Sequence, residues 1–169
     1  MSLPILTKIT TQYQAVEDRL CLCGLDQEGQ THMLWLTRRF ANEMVKLLFR
    51  SVDDPPAAAA PVASSIAKTT RQLAAKARLT QTPDVTPPDP ATSWLAVTLQ
   101  LQTREGQLRL VFSSQNERKA LVDIGLLHLH QWLSIIYANY LRAGWHGDFW
   151  PDWFADAELP APPPTASVH

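Results

Sequence analysis

Cysteine is scarce in this sequence, and its scarcity excludes a fold that is built on disulfide bonds. The 169 residues include two cysteines, Cys21 and Cys23, which are separated by one residue. We predict a strand here and expect the two side chains to point to opposite faces of it, so that they cannot bridge each other. A chain without disulfides fits a reducing compartment, and we therefore expect a cytoplasmic location.

Long apolar runs and a strong net charge are also lacking. No run approaches the roughly 20 apolar residues that a membrane-spanning helix needs, and the first residues lack the pattern of a secretory signal. The formal net charge of −1 argues against a strong whole-molecule attraction to nucleic acid or to an anionic membrane. With 46% apolar and 18% charged residues, the composition is globular, and we expect no membrane partner.

The sequence also lacks the motifs that are typical of catalytic sites. Six glycines are too few and too scattered for a phosphate-binding loop, and no Gly-x-Ser-x-Gly motif is present. His128 and His130 are two residues apart in a predicted helix and face different directions, so they cannot chelate one ion together. The scattered carboxylates form no pair with a reason for a perturbed pKa. We therefore predict no metal, no cofactor and no catalytic activity.

The sequence does contain a repeated apolar pattern. A shift of 88 residues aligns the first half with the second half, without gaps, over roughly forty residues. The pattern is kept through a part with a period of 2 and a part with a period of 3.6, although few residues are identical. Chance agreement of apolar positions is the alternative explanation. The repeat predicts two copies of a unit made of three strands and one helix.

The fold class that we predict is α+β. It is a tandem β-β-β-α repeat, in two copies at an offset of 88, that forms one pseudo-twofold antiparallel sheet domain with two helices on one face. Thr37 is expected to cap the first helix and Gly144 to end the second. The predicted strands are residues 5–14, 19–25 and 31–36 in the first unit and 94–102, 107–113 and 118–124 in the second, and the second helix is predicted from residue 126 to about residue 142.

Proline and alanine mark the boundaries between these units. We divide the chain into a first unit (1–52), a Pro/Ala-rich linker with a basic helix predicted at 62–79 (53–92), a second unit (93–144), an aromatic segment (145–158) and a disordered tail (159–169).

The linker carries a local excess of positive charge. One interpretation is a solvated helix that lets the two units reach each other, and another is a segment that touches an acidic partner or a phosphate backbone. The residues predicted to bind nucleic acid under the second interpretation are Lys68, Arg71, Lys76 and Arg78, together with Arg109 on the second sheet segment.

Aromatic residues are concentrated after the second helix, and that helix is apolar around most of its circumference. Leu126 and Leu127 stand where the first unit has Arg38 and Arg39. The aromatic side chains either close over the helices or anchor a partner. The predicted partner-binding residues are Leu126, Leu127, Trp145, Phe149, Trp150, Trp153 and Phe154.

These observations leave three functional hypotheses. The first is a non-catalytic protein-interaction module, such as an adaptor, assembly factor or accessory subunit, whose partner is another protein or a second copy. The second is single-stranded nucleic-acid binding, because duplicated meander-plus-helix units are similar in architecture to Pur-alpha-like and Whirly-like proteins, although those repeats usually have four strands. The third is a small-ligand protein or enzyme that uses His128, His146 and Asp148.

Overall fold

A computed structural model describes residues 2–53, 65–80 and 82–158. In these residues the chain forms one curled mixed sheet of seven strands and four α-helices, which confirms the α+β class. The strands are β1 (Ile5–Gln14), β2 (Arg19–Asp26), β3 (Thr31–Leu36), β4 (Trp94–Leu95), β5 (Thr98–Arg104), β6 (Gln107–Ser113) and β7 (Lys119–Ile124). The helices are α1 (Arg38–Asp53), α2 (Ser65–Ala77), α3 (Leu126–Ala143) and α4 (Asp152–Glu158).

The sheet is mixed, so the prediction of an antiparallel sheet was wrong. Its order is β4-β3-β2-β1-β7-β6-β5. Tight turns make the strands antiparallel within β1-β2-β3 and within β5-β6-β7. The two groups join through parallel pairs, Ile5 beside Leu121 and Leu34 beside Trp94. The joining strands are far apart in sequence, so no tight turn imposes an antiparallel direction on them.

The sheet curls back on itself because its two edge strands are neighbours in the chain. Only Ala96 and Val97 separate β4 from β5, where the sequence predicts a single strand. The Ala96 N–H donates to the carbonyl of Trp35 at 3.0 Å, and the Val97 N–H donates to the carbonyl of Ser113 at 2.8 Å. The chain therefore leaves β3 and joins β6 within two residues.

Alternating leucines direct one face of the sheet toward α1 and α3. Leu20 and Leu22 of β2 and Leu110 of β6 are completely buried in the same cluster as Leu48 of α1 and Leu133 of α3. This is the alternation expected of strands that are half buried on a core. Both helices therefore contribute to one hydrophobic core with the strands of both halves.

The predicted helix boundaries are confirmed by their caps. The Thr37 hydroxyl accepts a hydrogen bond from the Phe40 N–H at 3.1 Å, which satisfies a backbone donor at the start of α1. Gly144 follows α3 with a φ of 64°, and its N–H donates to the carbonyls of Leu141 and Tyr140. Glycine adopts this left-handed conformation without the penalty of a Cβ atom.

The aromatic segment packs on the two main helices. Trp145, Trp153 and Phe154 are buried in the main core. Phe154 contacts Phe49 of α1 and Tyr137 of α3 edge-on, with ring centroids 5.3 and 5.6 Å apart. The end of the segment forms α4, which the sequence analysis did not predict.

Cys21 and Cys23 share a face, so the prediction that they point to opposite faces was wrong. Their Sγ atoms are 3.6 Å apart. Adjacent residues of a strand alternate between faces, and residues two apart therefore return to the same face. Both thiols are buried with Met33 and Val85 in a second cluster, separate from the main core.

None of the described helices is both long enough and apolar enough to cross a membrane. The tail predicted at 159–169 and residues 54–64 of the predicted linker lie outside the described residues.

Candidate functional site

The structure divides the seven residues predicted to bind a partner between the core and the surface. Leu126 is 39% exposed at the start of α3, and the buried Trp145, Trp153 and Phe154 pack near the other end of that helix. Leu127, Phe149 and Trp150 are half-buried. Leu126 and the aromatic segment therefore do not form one continuous surface.

Most of the predicted nucleic-acid-binding residues have carboxylate partners. Lys68 contacts Asp53 at 2.7 Å, and Lys76 contacts the carboxylate of Glu158 at 3.1 Å. The Arg109 guanidinium donates two hydrogen bonds to Asp123. Arg71 and Arg78 are exposed on and just after α2. Three of the five positive charges are thus balanced within the chain.

The histidines and the aspartate of the third hypothesis are exposed, but no hydrogen bond joins them to one another in the part of the chain that the structure describes. A different histidine lies in a polar cleft of about 510 Å³ beside the β2–β3 turn. His32 Nε2 donates to the Asp26 carboxylate at 2.7 Å, and the same carboxylate accepts the N–H groups of Glu28 and Gln30.

The Asp26–His32 pair is built to hold the turn. Burial by itself would raise the pKa of Asp26, but the hydrogen bonds from His32, Gln30 and Glu28 outweigh it and lower that pKa. A carboxylate that orients a histidine is one part of a nucleophilic site. Among the described residues, no hydroxyl or thiol is hydrogen-bonded to His32, so the nucleophile of such a site is not assembled here.

An apolar groove of about 360 Å³ lies between α1 and the β4–β5 segment. One wall is an α1 stripe of Phe40, Met44 and Leu47, at helical spacing. The other wall includes Leu95 and Val97, which are 36% and 46% exposed. We call this the β5 groove. The apolar spacing on both walls was readable in the sequence, but their proximity was not.

The β5 groove adjoins a sheet edge. Within the described residues β5 pairs with β6 only, so the backbone groups along its other edge have no strand beside them. Such edges are commonly protected by proline or by charged side chains. Over its seven residues β5 has no proline, and its one charge is Arg104 at the end.

A matching stretch of β1 is closed by a side chain of α3. The Asn139 carboxamide accepts from the Tyr13 N–H at 2.7 Å and donates to the carbonyl of Thr11 at 3.2 Å. Trp132 Nε1 also donates to the Thr11 hydroxyl at 2.9 Å. Asn139 thus makes the two backbone hydrogen bonds that a neighbouring strand would make there.

No group of three His, Cys, Asp or Glu side chains within the described ranges is positioned to hold a metal ion. A comparison of the chain with protein-family models, with curated proteins and with solved structures finds no match. Function has to be inferred from the surfaces themselves, and the β5 groove combines apolar side chains with backbone groups that can form hydrogen bonds.

Proposed function

We propose that this chain is a non-catalytic protein-interaction module that binds an extended segment of a partner protein along the free edge of β5. The partner segment adds a strand to the sheet and directs its alternate apolar side chains into the β5 groove. The observation that carries this proposal is the position of the α1 apolar stripe beside a sheet edge that has no neighbouring strand among the described residues. Strand addition of this kind draws affinity from main-chain hydrogen bonds and specificity from pockets for alternate side chains.

We also propose that the chain is a tandem repeat whose two halves are related by a pseudo-twofold axis. The bounds of β7 lie 88 residues after those of β3, and α3 begins 88 residues after α1. The parallel pairs also correspond, because the first strand of each half lies beside the last strand of the other. A common offset in strands, helices and pairing supports a duplication.

The two halves differ where the free edge lies. The residue 88 positions before Asn139 is Ser51. The Ser51 hydroxyl donates to the carbonyl of Leu47 inside α1, at 3.2 Å. A serine has no carboxamide with which to make a paired acceptor and donor contact to a strand. The edge of β1 is thus closed by Asn139 of α3, whereas α1 carries Ser51 at the corresponding position and leaves the edge of β5 for another chain.

An extended protein segment fits this surface better than nucleic acid does. Single-strand binders present aromatic platforms in a basic groove. The β5 groove is lined by aliphatic side chains and one aromatic, Phe40, and its charges, Arg39 and Glu43, are of opposite sign.

The aromatic segment has an indirect role in this proposal, because it supports α1 and does not contact the partner. It braces α1 through Phe49 and through Arg38, which lies 5.9 Å from the ring of Trp145.

Selection of ten-residue peptides from a displayed random library tests the proposal. We expect selected peptides to alternate apolar and polar residues and to protect the β5 amides from hydrogen exchange. Val97→Asp introduces a charge into the β5 groove and should weaken their binding about tenfold or more, which is about 1.4 kcal/mol. The matched control is Val16→Asp, the same change at a valine that is 99% exposed in the β1–β2 turn, and it should leave binding unchanged.

Three results would contradict the proposal. Selected peptides that bind Val97→Asp as tightly as the unmodified chain would place the binding surface elsewhere. A dimer that light scattering detects and that Val97→Asp dissociates would make a second copy the partner. Tight, salt-sensitive binding of single-stranded oligonucleotide to the β5 face would favour the nucleic-acid hypothesis.

A further inference from the structure

Three sulfur-bearing side chains meet on the face of β2 and β3 that points away from the main core. Cys21 and Cys23 come from β2, and Met33 lies directly opposite Cys23 on β3. All three belong to one cluster, with exposures of 3%, 6% and 8%. We call this the sulfur cluster. It combines two thiols and one thioether, all of them buried.

The two thiols have the spacing of sulfur ligands that share a metal ion. Metal–sulfur bonds of about 2.3 Å, at an angle of about 110–120°, place two sulfur atoms about 3.8–4.0 Å apart. The Cys21 and Cys23 Sγ atoms are 3.6 Å apart, so small rotations of the side chains suffice.

A disulfide fits the same pair less well. Its sulfur atoms would have to approach to about 2.05 Å, with Cα atoms usually 4.4–6.8 Å apart. Residues two apart in a regular strand have Cα atoms about 6.6–6.8 Å apart, at the upper limit of that range. A disulfide would therefore distort β2, whereas two thiolates on one ion leave the strand as it is.

We propose that the sulfur cluster binds one Cu(I) ion through the Cys21 and Cys23 thiolates and the Met33 thioether. Thiolate and thioether ligands together select soft Cu(I) over harder divalent ions. Structural Zn²⁺ sites take four ligands, from thiolate, imidazole or carboxylate groups. The apolar side chains packed on the sulfur cluster are Val85, Leu25 and Trp35. On β1, Thr10 lies opposite Cys23 and Gln12 opposite Cys21, and neither is a thiolate, an imidazole or a carboxylate.

Residues 82–88, which contribute Val85 to the sulfur cluster, make two hydrogen bonds to β1 within the described part of the chain. The Val85 N–H donates to the Thr10 hydroxyl at 2.9 Å, and Gln12 Nε2 donates to Asp84 at 3.0 Å. Both contacts join the segment to β1 near the surface. Lifting this segment uncovers the thiols without disturbing the main core, which supplies an entry path for the ion. The sulfur cluster and the β5 groove share no residue, so this inference does not depend on the proposed function.

Transfer of Cu(I) from its bicinchoninate complex to the full-length chain, without oxygen, tests the proposal. We expect one equivalent of Cu(I) to move to the protein and both thiols to become protected from iodoacetamide. X-ray absorption of the loaded chain should give sulfur-only ligation. Absence of transfer, thiols that react as fast as before, or preferential loading with Zn²⁺ from an equimolar mixture would each overturn the assignment.

Substitutions identify the ligands. Cys21→Ser and Cys23→Ser should each abolish transfer. Met33→Leu removes the thioether ligand and should weaken transfer about tenfold or more, since loss of even an outer-shell partner of a metal typically costs that much. The matched control is Met44→Leu, the same change at a methionine of α1 outside the sulfur cluster, and it should leave Cu(I) transfer unchanged. Circular dichroism shows whether each variant folds, and thiol protection in the unmodified chain remains decisive if one does not. If Met33→Leu takes up Cu(I) as well as the unmodified chain does, Met33 is not a ligand. The assignment of the site to Cu(I) would then be wrong.

Discussion

At the scale of single residues, buried polar side chains decide how α2 is attached to α3. His130 Nδ1 donates to the Gln72 carboxamide oxygen at 2.6 Å. That hydrogen bond fixes the proton on Nδ1, so Nε2 carries a lone pair and no proton. In the described part of the chain, Nε2 is buried without a hydrogen-bond partner. The imidazole is therefore held in its neutral form.

The free energy of unfolding should depend on the protonation of His130. Burial, with a smaller contribution from Arg71, lowers its pKa from 6.5 to about 4. Because the unfolded chain binds a proton at higher pH than the folded chain, stability is full above about pH 6.5. It falls by roughly 3 kcal/mol as the pH drops to about 4.

Urea unfolding at several pH values measures this dependence. His130→Asn should flatten the curve between about pH 6.5 and pH 4, because the titrating group is gone. His128→Asn is the control, since His128 is exposed on the same helix. A pH dependence that persists unchanged in His130→Asn would assign it to other groups.

At the scale of elements, α2 buries one polar side chain, Gln72, and one small apolar side chain, Ala75, and has large aliphatic side chains outward. Gln72 is completely buried and donates to the carbonyl of His130 at 3.0 Å and to the Ser134 hydroxyl at 2.7 Å. Ile66 and Leu73 are 80% and 49% exposed. Helix α2, which lies in the predicted linker, therefore covers one side of α3 through hydrogen bonds and not through an apolar stripe. The sequence pattern predicts that the aromatic segment closes over the helices, and it gives no signal that the linker covers α3.

Gln72→Leu should detach α2 selectively. The substitution leaves the buried imidazole of His130 without its hydrogen-bond partner, which costs about 1–3 kcal/mol. Hydrogen exchange should accelerate at the α2 amides before it does in the sheet. Gln115→Leu, the same change at an exposed turn residue, is the control and should leave exchange unaltered. Uniform acceleration throughout the chain would mean that α2 is part of the global folding unit.

At the scale of the whole molecule, the aromatic segment ties the two main helices together. Phe154 is completely buried and contacts Phe49, Tyr137, Trp150 and Trp153. The contact with Trp150 is stacked and the other three are edge-on. Aromatic pairs in these two geometries add about 0.5–1.5 kcal/mol each beyond the area that they bury. The segment is therefore part of the core of the protein.

Phe154→Ala should lower the free energy of unfolding by about 3–5 kcal/mol, because it leaves a cavity among large rings. Phe149→Ala should cost less, since Phe149 is only half-buried in the same segment. Chemical denaturation of both variants measures the difference. If both variants lose the same free energy of unfolding, Phe154 stabilises the protein no more than a half-buried aromatic residue of the same segment does.

The local elements were largely determined by the sequence. The predicted bounds of β1, β3 and β6 match the structure, because alternation and turn residues are local properties. Residues 114–117 fit a capping-box pattern, which would start a helix there, whereas the repeat predicts a strand from residue 118. The structure has a turn there, in which the Ser114 hydroxyl accepts from the N–H groups of Asn116 and Arg118. The next strand then begins at residue 119, one residue later than predicted.

Contacts between distant residues could be decided only by the tertiary structure. The parallel joins, the break at Ala96 and Val97, the closure of β1 by Asn139 and the docking of α2 each link residues that are far apart in the sequence or in different elements. The shared face of Cys21 and Cys23 is the exception, because strand periodicity alone should have predicted it. Periodicity determines which face of an element is apolar. Which neighbour covers that face depends on packing that no short stretch of sequence encodes.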